Sequence, residues 1–222
     1  YITQRLKERG RYSVATKSKK PPVDEYVKTR RLKRIFDVSL ASTALLILSP
    51  LMPLIALAIK LESKGPIVFS QVRIGLCTPT STAFFTMFKF RSMVVDAETS
   101  TGATLAKKND PRVTRVGRFL RKTRLDELPQ LINVLAGDMS IVGPRPERPD
   151  FYGKLESEIP YFSERTFGVL PGITGLAQVH QGYDTCIEDV RSKVGYDHSY
   201  ALALHNANSW FAMDVWIIFK TI

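Results

Sequence analysis

A run of 25 residues, Ile35 to Ile59 (IFDVSLASTALLILSPLMPLIALAI), holds a single charge, Asp37, near its start. As one helix it extends roughly 37 Å at about 1.5 Å per residue, enough to cross a hydrocarbon core of roughly 30 Å. Ser49-Pro50 falls near its middle, and Pro53 follows three residues later. An interior proline has no N–H to donate and its ring collides with the preceding turn, so the helix bends there. Basic residues flank both ends, KTRRLKR (Lys28 to Arg34) before it and Lys60, Lys64 and Arg73 after it. Basic flanks stay cytoplasmic, which puts both ends on one side of the membrane. A helix broken at Ser49-Pro50 that enters and leaves the same leaflet meets these constraints. The Ser49 hydroxyl is expected to bond a backbone group that Pro50 frees. A kinked crossing and a buried helix of a soluble core are the alternatives.

The 222 residues suffice for one core with an appendage. Net charge is +11, and Tyr1 to Arg34 carries +9 of it, with 12 Lys+Arg against 3 Asp+Glu. The body is near neutral and the tail is basic, suited to nucleic acid or to an anionic leaflet. Cys77 and Cys186 form no CxxC, which fits a reducing compartment, and the three histidines show no HExxH spacing. There is no signal-peptide cleavage pattern.

Beyond Gly65-Pro66, Ile67 to Ile74 alternates, with Val68, Val72 and Ile74 on one face and Gln71 and Arg73 on the other. Gly75 to Ala83 reads as a loop, and the aromatic Phe84 to Met93 as a second strand. A β-hairpin results. Lys89 and Arg91, two apart, share a face; charges that discourage edge pairing are the plainer reading of them. Asp96 to Asn109 reads as a polar loop with a short helix. Asp110-Pro111 is a helix start, with Asp as N-cap and Pro first, and that helix runs to about Arg124. Val113, Val116, Phe119 and Leu120 form its apolar face, an arrangement that fits a membrane interface.

Two adjacent carboxylates, Asp126 and Glu127, follow the cations Arg118, Arg121, Lys122 and Arg124, and Arg145 lies between Pro144 and Pro146. Carboxylates that hold a cation beside guanidinium groups that hold an anion are what a metal-bound phosphate needs. A solvated helix with an exposed acidic pair is the alternative. A helix opening at the pair, with Pro129 in its first turn and Gly137 at its end, places both acids at a helix N-terminus, where the dipole favours anions. Proline on both sides restricts the backbone at Arg145. Near the C-terminus, Trp210 and Trp216 suit either an interfacial helix or packing on the core.

Read together, these motifs resemble the bacterial sugar transferase family, the monotopic phosphoglycosyl transferases. The resemblance covers roughly Lys33 to the end. It rests on KRxFD (Lys33 to Asp37), Ser49-Pro50, QVRIG (Gln71 to Gly75), KFRSM (Lys89 to Met93) and DPRVTRVGRFLRKTRLDELPQL (Asp110 to Leu131). GDMSIVGPRP (Gly137 to Pro146), PGITG (Pro171 to Gly175) and the terminal FKTI complete it. Each motif is weak alone; their order and spacing are specific. KFRSM has Ser92 where Thr is common, and the loop Thr78 to Phe85 lacks the Gly and Lys often found there.

The resemblance implies an α+β, mostly α, monotopic membrane protein with a re-entrant helix hairpin, a small β-hairpin and interfacial amphipathic helices. Its divisions are a basic tail or linker (1–34), the re-entrant membrane helix (35–59) and a catalytic domain with a C-terminal interfacial helix (60–222). It implies transfer of a sugar-1-phosphate from a nucleoside diphosphate sugar, usually a uridine one, to undecaprenyl phosphate, with UMP released. That is the first membrane step of exopolysaccharide or lipopolysaccharide O-antigen synthesis, on the cytoplasmic face of the bacterial inner membrane. Asp126 takes the nucleophile's position and forms a covalent phosphosugar intermediate. Glu127 assists through the Mg²⁺ site or as a base, and Asp126 and Glu127 are the implied ligands of a Mg²⁺ ion. Arg121 and Arg145 map to phosphate contacts, with Lys89, Arg91 and Arg118 shaping the substrate site and Ser49-Pro50 the membrane break. Extended family members carry an N-terminal transmembrane region, and a chain beginning at Tyr1 reads as the core of such a form. Membrane lipids are partners, nucleic acid is not, and homo-oligomerisation is left open. The opposing reading, a non-catalytic nucleic-acid-binding protein or membrane-anchored scaffold, relies on the basic tail, whose Tyr1, Tyr12 and Tyr26 follow no recognition spacing. Neither DxD nor GxxxxGK[ST] occurs.

Overall fold

The computed structural model describes residues 23–95, 97, 110–181 and 187–221. The first 22 residues of the basic tail, most of the loop between Asp96 and Asn109, and Cys186 lie outside the described residues. Helix α1 (Val23–Leu48) and helix α2 (Leu51–Glu62) flank the Ser49-Pro50 break and are bent by 64°. No single described helix is long and apolar enough to cross a membrane, but this bent pair is, by length and composition. Pro50 cannot donate to Leu46 O, and the Ser49 hydroxyl does so instead, at 3.0 Å. Leu46, Ile47, Leu54, Leu57 and Leu61 stand exposed along the pair, an apolar surface of the kind a monotopic hairpin turns to lipid.

The basic segment before Ile35 does not stop short of the body. Helix α1 runs straight through Arg34, and its cations are used. Arg34 donates to the carbonyls of Val134 and Leu135 at a helix end, while Lys33 is buried against Asp214 at 2.7 Å.

Strands β1 (Val68–Thr78) and β2 (Ser81–Phe90) form an antiparallel hairpin with Val68 opposite Phe90 and an irregularity between Ile74 and Cys77. The strands are longer than the alternation predicts, and only Pro79 and Thr80 separate them. Val68 and Val72 are exposed, because over most of its length the hairpin turns its opposite face to the body, the face on which Phe85 and Met87 lie across from Arg73 and Gln71.

Helix α3 (Arg115–Lys122) is shorter than expected, and Thr114, not Asp110, caps it, accepting from Gly117 N at 2.9 Å. Asp110 is occupied by Arg112. Residues 110–113 form a turn, closed by Val113 N donating to Asp110 O at 3.1 Å, and Val113 then bridges to Met93 before the helix starts. A 3₁₀ turn (Leu125–Glu127) follows, then helix α4 (Gln130–Ala136). The acidic pair therefore precedes α4 instead of opening it, since Pro129 stands as the cap of α4 and has no N–H to extend the turn. Gly137, left-handed at φ 96, ends α4 as expected.

Strand β3 (Ser140–Val142), helix α5 (Pro149–Glu158), a second 3₁₀ turn (Glu164–Thr166) and strand β4 (Gly172–Thr174) come next, with β3 and β4 parallel. Helices α6 (Leu176–His180), α7 (Ile187–Ala203) and α8 (Ala207–Thr221) complete the chain. The main core gathers Ala41, Met87, Val134, Met139, Val142, Tyr200, Trp210 and Ile217 from α1, the hairpin, α4, β3, α7 and α8. At its centre Asp214, fully buried, accepts from Lys33, Tyr200 and Trp210. The two tryptophans divide: Trp210 packs in the core, whereas Trp216 is exposed, as are Phe211 and Phe219 of the same helix.

Asn133 of α4 reaches the free edge of β2. Its Oδ1 accepts from Phe88 N at 3.1 Å and its Nδ2 donates to Thr86 O at 2.8 Å.

Candidate active site

Three short pieces, together with Lys89 near the end of β2, bring charge to one place. The first is the end of α3. Its N-terminus rests on the end of α2, where the Glu62 carboxylate accepts from Arg115 N at 2.7 Å and Val116 N at 2.9 Å. Gly117 lies so close to β2's exit that a Cβ there would fall 2.0 Å from Ser92 O. That approach lets Arg121 Nε donate to Ser92 Oγ at 2.8 Å. After α3 the chain reverses through Arg124, a non-glycine residue in the left-handed region at φ 55. The second piece is the 3₁₀ turn carrying Asp126 and Glu127, and the third is the loop after β3 carrying Arg145.

Asp126 and Glu127 are 7% and 8% exposed, so the pair is not a solvated face. Glu127 Oε1 pairs with Lys89 Nζ at 2.7 Å and lies 3.8 Å from Arg145 Nη1; its Oε2 is 4.0 Å from Arg124. Burial alone would raise the pKa of Glu127, but Lys89 and Arg145 outweigh it and hold the carboxyl below its ordinary value. Asp126 makes no hydrogen bond or ion pair among the described residues. Burial raises its pKa and the neighbouring Glu127 charge adds to this; Lys89, Arg121 and Arg145 offset it only in part. Lys89 itself is held below the usual lysine range by burial, with Glu127 opposing. Two adjacent acids are thus pushed apart. Glu127 commits its Oε1 to Lys89 and Arg145. The other is the more basic carboxylate and has its oxygens available, which is the division expected of a reacting group and its support.

Of the residues the sequence points to, the structure gathers Asp126, Glu127, Lys89, Arg121 and Arg145. Arg91 goes elsewhere. It lies one residue past β2, where strand alternation has ended, and its guanidinium donates to the Ser63 and Lys64 carbonyls at 2.8 and 2.6 Å. It satisfies the end of α2 rather than the acidic pair. Arg118 is exposed on α3, with no side-chain partner among the described residues. The sequence reading passed over Arg124 as a site residue, although it stands in the same cation run. It also passed over Gln130, one turn beyond Asp126, which is buried with its Nε2 unpaired among the described residues.

Residues 28–222 match the family described as Bacterial sugar transferase. The chain belongs to the bacterial sugar transferase family. An Aeromonas hydrophila relative, named UDP-N-acetylgalactosamine-undecaprenyl-phosphate N-acetylgalactosaminephosphotransferase, is 46% identical over 191 residues, 86% of this chain and 43% of its own length. The Escherichia coli UDP-glucose:undecaprenyl-phosphate glucose-1-phosphate transferase is 44% identical over 195 residues, 87% of this chain and 40% of its own. The exopolysaccharide production protein PSS of Rhizobium leguminosarum is 40% identical over 196 residues, 86% of this chain and 93% of its own. The chain spans less than half the length of the first two. Within this sugar transferase, the acidic turn and its cations are all among the matched residues.

Proposed function

We propose that this chain catalyses transfer of a sugar-1-phosphate from a nucleoside diphosphate sugar, a uridine one by the names of its relatives, to undecaprenyl phosphate. The observation that carries the reading is the split between the two acids: Glu127 locked to Lys89, and Asp126 buried beside Lys89, Arg121 and Arg145 yet unbonded.

A carboxylate attacks a diphosphate only when the anionic charge of the phosphates is neutralised. Arg121, Arg145 and Lys89 supply fixed positive charge around the turn. Asp126 Oδ attacks the sugar-bearing phosphorus, an O–P bond forms, the bond to the bridging oxygen breaks, and UMP leaves with that electron pair. A phosphate oxygen of undecaprenyl phosphate then attacks the same phosphorus, and the Asp126 carboxylate departs. Two displacements let one compact site meet a soluble donor and a lipid acceptor in turn. Glu127 keeps Lys89 and Arg145 converged on the turn throughout.

The same residues fit a magnesium ion. Mg²⁺ is held through one or two carboxylates, with water and substrate phosphates completing its shell. Here Glu127 Oε2 is buried without a hydrogen-bond partner among the described residues, and the Asp126 oxygens are unbonded. Asp126 and Glu127 would hold the ion, and its charge would lower the repulsion between carboxylate and diphosphate. The bent apolar pair, joined to α3 through Glu62, would seat the site at headgroup height on the cytoplasmic face of the inner membrane.

The test is to supply UDP-sugars one at a time with undecaprenyl phosphate and Mg²⁺, and to measure UMP. Asp126→Asn should abolish release, and donor alone should leave a phosphosugar adduct visible by intact mass in the parent protein. Near-parental turnover in the Asn variant, or no adduct on Asp126, refutes the assignment.

A further inference from the structure

The loop that presents Arg145 is tied down along its backbone. Pro144 O accepts from Gly172 N and Glu147 O from Ile74 N, both at 2.9 Å. Arg73 donates to Pro146 O at 3.2 Å. The remaining carbonyl, that of Arg145 itself, is met by Arg165 of the second 3₁₀ turn. Arg165 Nη2 lies 3.4 Å from Arg145 O and 3.5 Å from Glu147 Oε1, and Nη1 lies 2.6 Å from Asp197 Oδ2 on α7. Arg165 and Asp197 are 4% and 3% exposed, and the Phe162 ring stacks 4.5 Å from the guanidinium.

Taking an arginine and an aspartate out of water is costly, and an apolar pair of the same volume would often be no less stable. What an apolar pair cannot do is hold a backbone carbonyl with one nitrogen while anchoring to a helix with another. The forked guanidinium does both from two fixed positions, Nη1 toward Asp197 and Nη2 toward Arg145 O; the donors of a lysine all radiate from one nitrogen and lack that fixed fork. We propose that Arg165, oriented by Asp197, is a positioning residue that fixes the reach of the Arg145 side chain toward Glu127 and the bound diphosphate. This rests on the site assignment given above. Arg165 touches no reacting atom; it acts through the peptide of Arg145. The long gaps in sequence, 20 residues from Arg145 to Arg165 and 32 from Arg165 to Asp197, leave no local pattern that reveals the link.

The test is a cycle of four full-length proteins: parent, Arg165→Lys, Arg145→Ala and the double variant. Lysine keeps a cation opposite Asp197 and preserves the fold, which a thermal melt verifies. UMP release should drop on the order of tenfold to a hundredfold in kcat/KM for Arg165→Lys, as expected for a misplaced phosphate-binding group. Adding Arg165→Lys to Arg145→Ala should change the rate less than about twofold, since nothing is left to position. Equal losses in both backgrounds would show a merely structural role and overturn the inference, as would an Arg145→Ala protein that works at the parental rate. Hydrogen exchange of the peptide covering 143–148 gives a readout independent of turnover. Arg165→Lys should speed its exchange while peptides of α4 stay unchanged, and unaltered exchange over 143–148 refutes the clamp. Faster exchange there, in a protein that releases no UMP from any donor, would support the clamp and count against the transferase reading alone.

Discussion

Replacing Asp214 with alanine should cost about 4 kcal/mol of stability. The fully buried carboxylate accepts from Lys33 Nζ at 2.7 Å, Tyr200 OH at 2.7 Å and Trp210 Nε1 at 2.8 Å. The three losses are unequal. Tyr200 can turn its single proton to Val142 O, already 2.9 Å away. Trp210 has one donor and no second acceptor, so its N–H is orphaned, at about 1–3 kcal/mol. Lys33 keeps only Asp37, at 3.7 Å, and a buried charge stripped of its close partner costs about 3–5 kcal/mol. These overlap, since both measure the same emptied acceptor, which gives the figure of about 4 kcal/mol. For a chain of this size each kcal/mol moves the melting midpoint by about 2–4 °C, so a fall of about 8–16 °C is expected. Tryptophan fluorescence of the detergent-solubilised protein reports it, because Trp210 sits in the affected cluster. Asp214→Asn, which keeps an oxygen but loses the charge, should fall between parent and alanine. An alanine variant within about 3 °C of the parent would show that the cluster is not what joins α1 to α8.

Asp126→Asn should move stability and activity in opposite directions. Its raised pKa means the fold disfavours the charged form, so at neutral pH the variant should melt higher than the parent, and the gain should vanish below the unfolded carboxylate's pKa; a lower melting point at pH 7 contradicts this. The acid limb of kcat/KM should lie above the ordinary aspartate value and follow Asp126, since Glu127 is held below its own. Lys89→Met removes a charge that lowers both pKa values, so that limb should shift to higher pH in residual activity, and a shift downward would refute the assignment. Gly117→Ala cannot be accommodated against Ser92 O without moving α3; it should lower UMP release through Arg121 and destabilise the protein by about 1–3 kcal/mol, checked by kinetics and a melt on the same preparation.

Local signals carried much of this structure. The break at Ser49-Pro50, the hairpin, Gly137 as helix terminator and the proximity of Asp126, Glu127, Lys89, Arg121 and Arg145 all follow from spacing and residue type or from the family resemblance. What failed to show was decided by partners distant in sequence. Asp110 resembles an N-cap until Arg112 claims its carboxylate. Lys89 and Arg91 share a face only while the strand lasts, and β2 ends between them. Lys33 and Arg34 read as the end of a basic tail because their partners, Asp214 and the carbonyls of Val134 and Leu135, lie about 100 residues or more away. The opposite tuning of the two acids likewise depends on where Lys89 and Arg145 arrive, which adjacency in the chain does not specify.

A hairpin of two strands has open flanks on which a neighbouring chain can template itself. Along β2 that invitation is withdrawn by one amide. Asn133 presents an oxygen to Phe88 N and a nitrogen to Thr86 O, the same pair of bonds an incoming strand would make. A helix side chain thus impersonates a peptide group and ends the sheet at two members. Colloidal behaviour, and not only the fold, therefore depends on this residue: leucine at the same place would fit the volume yet leave a ready seam for self-association.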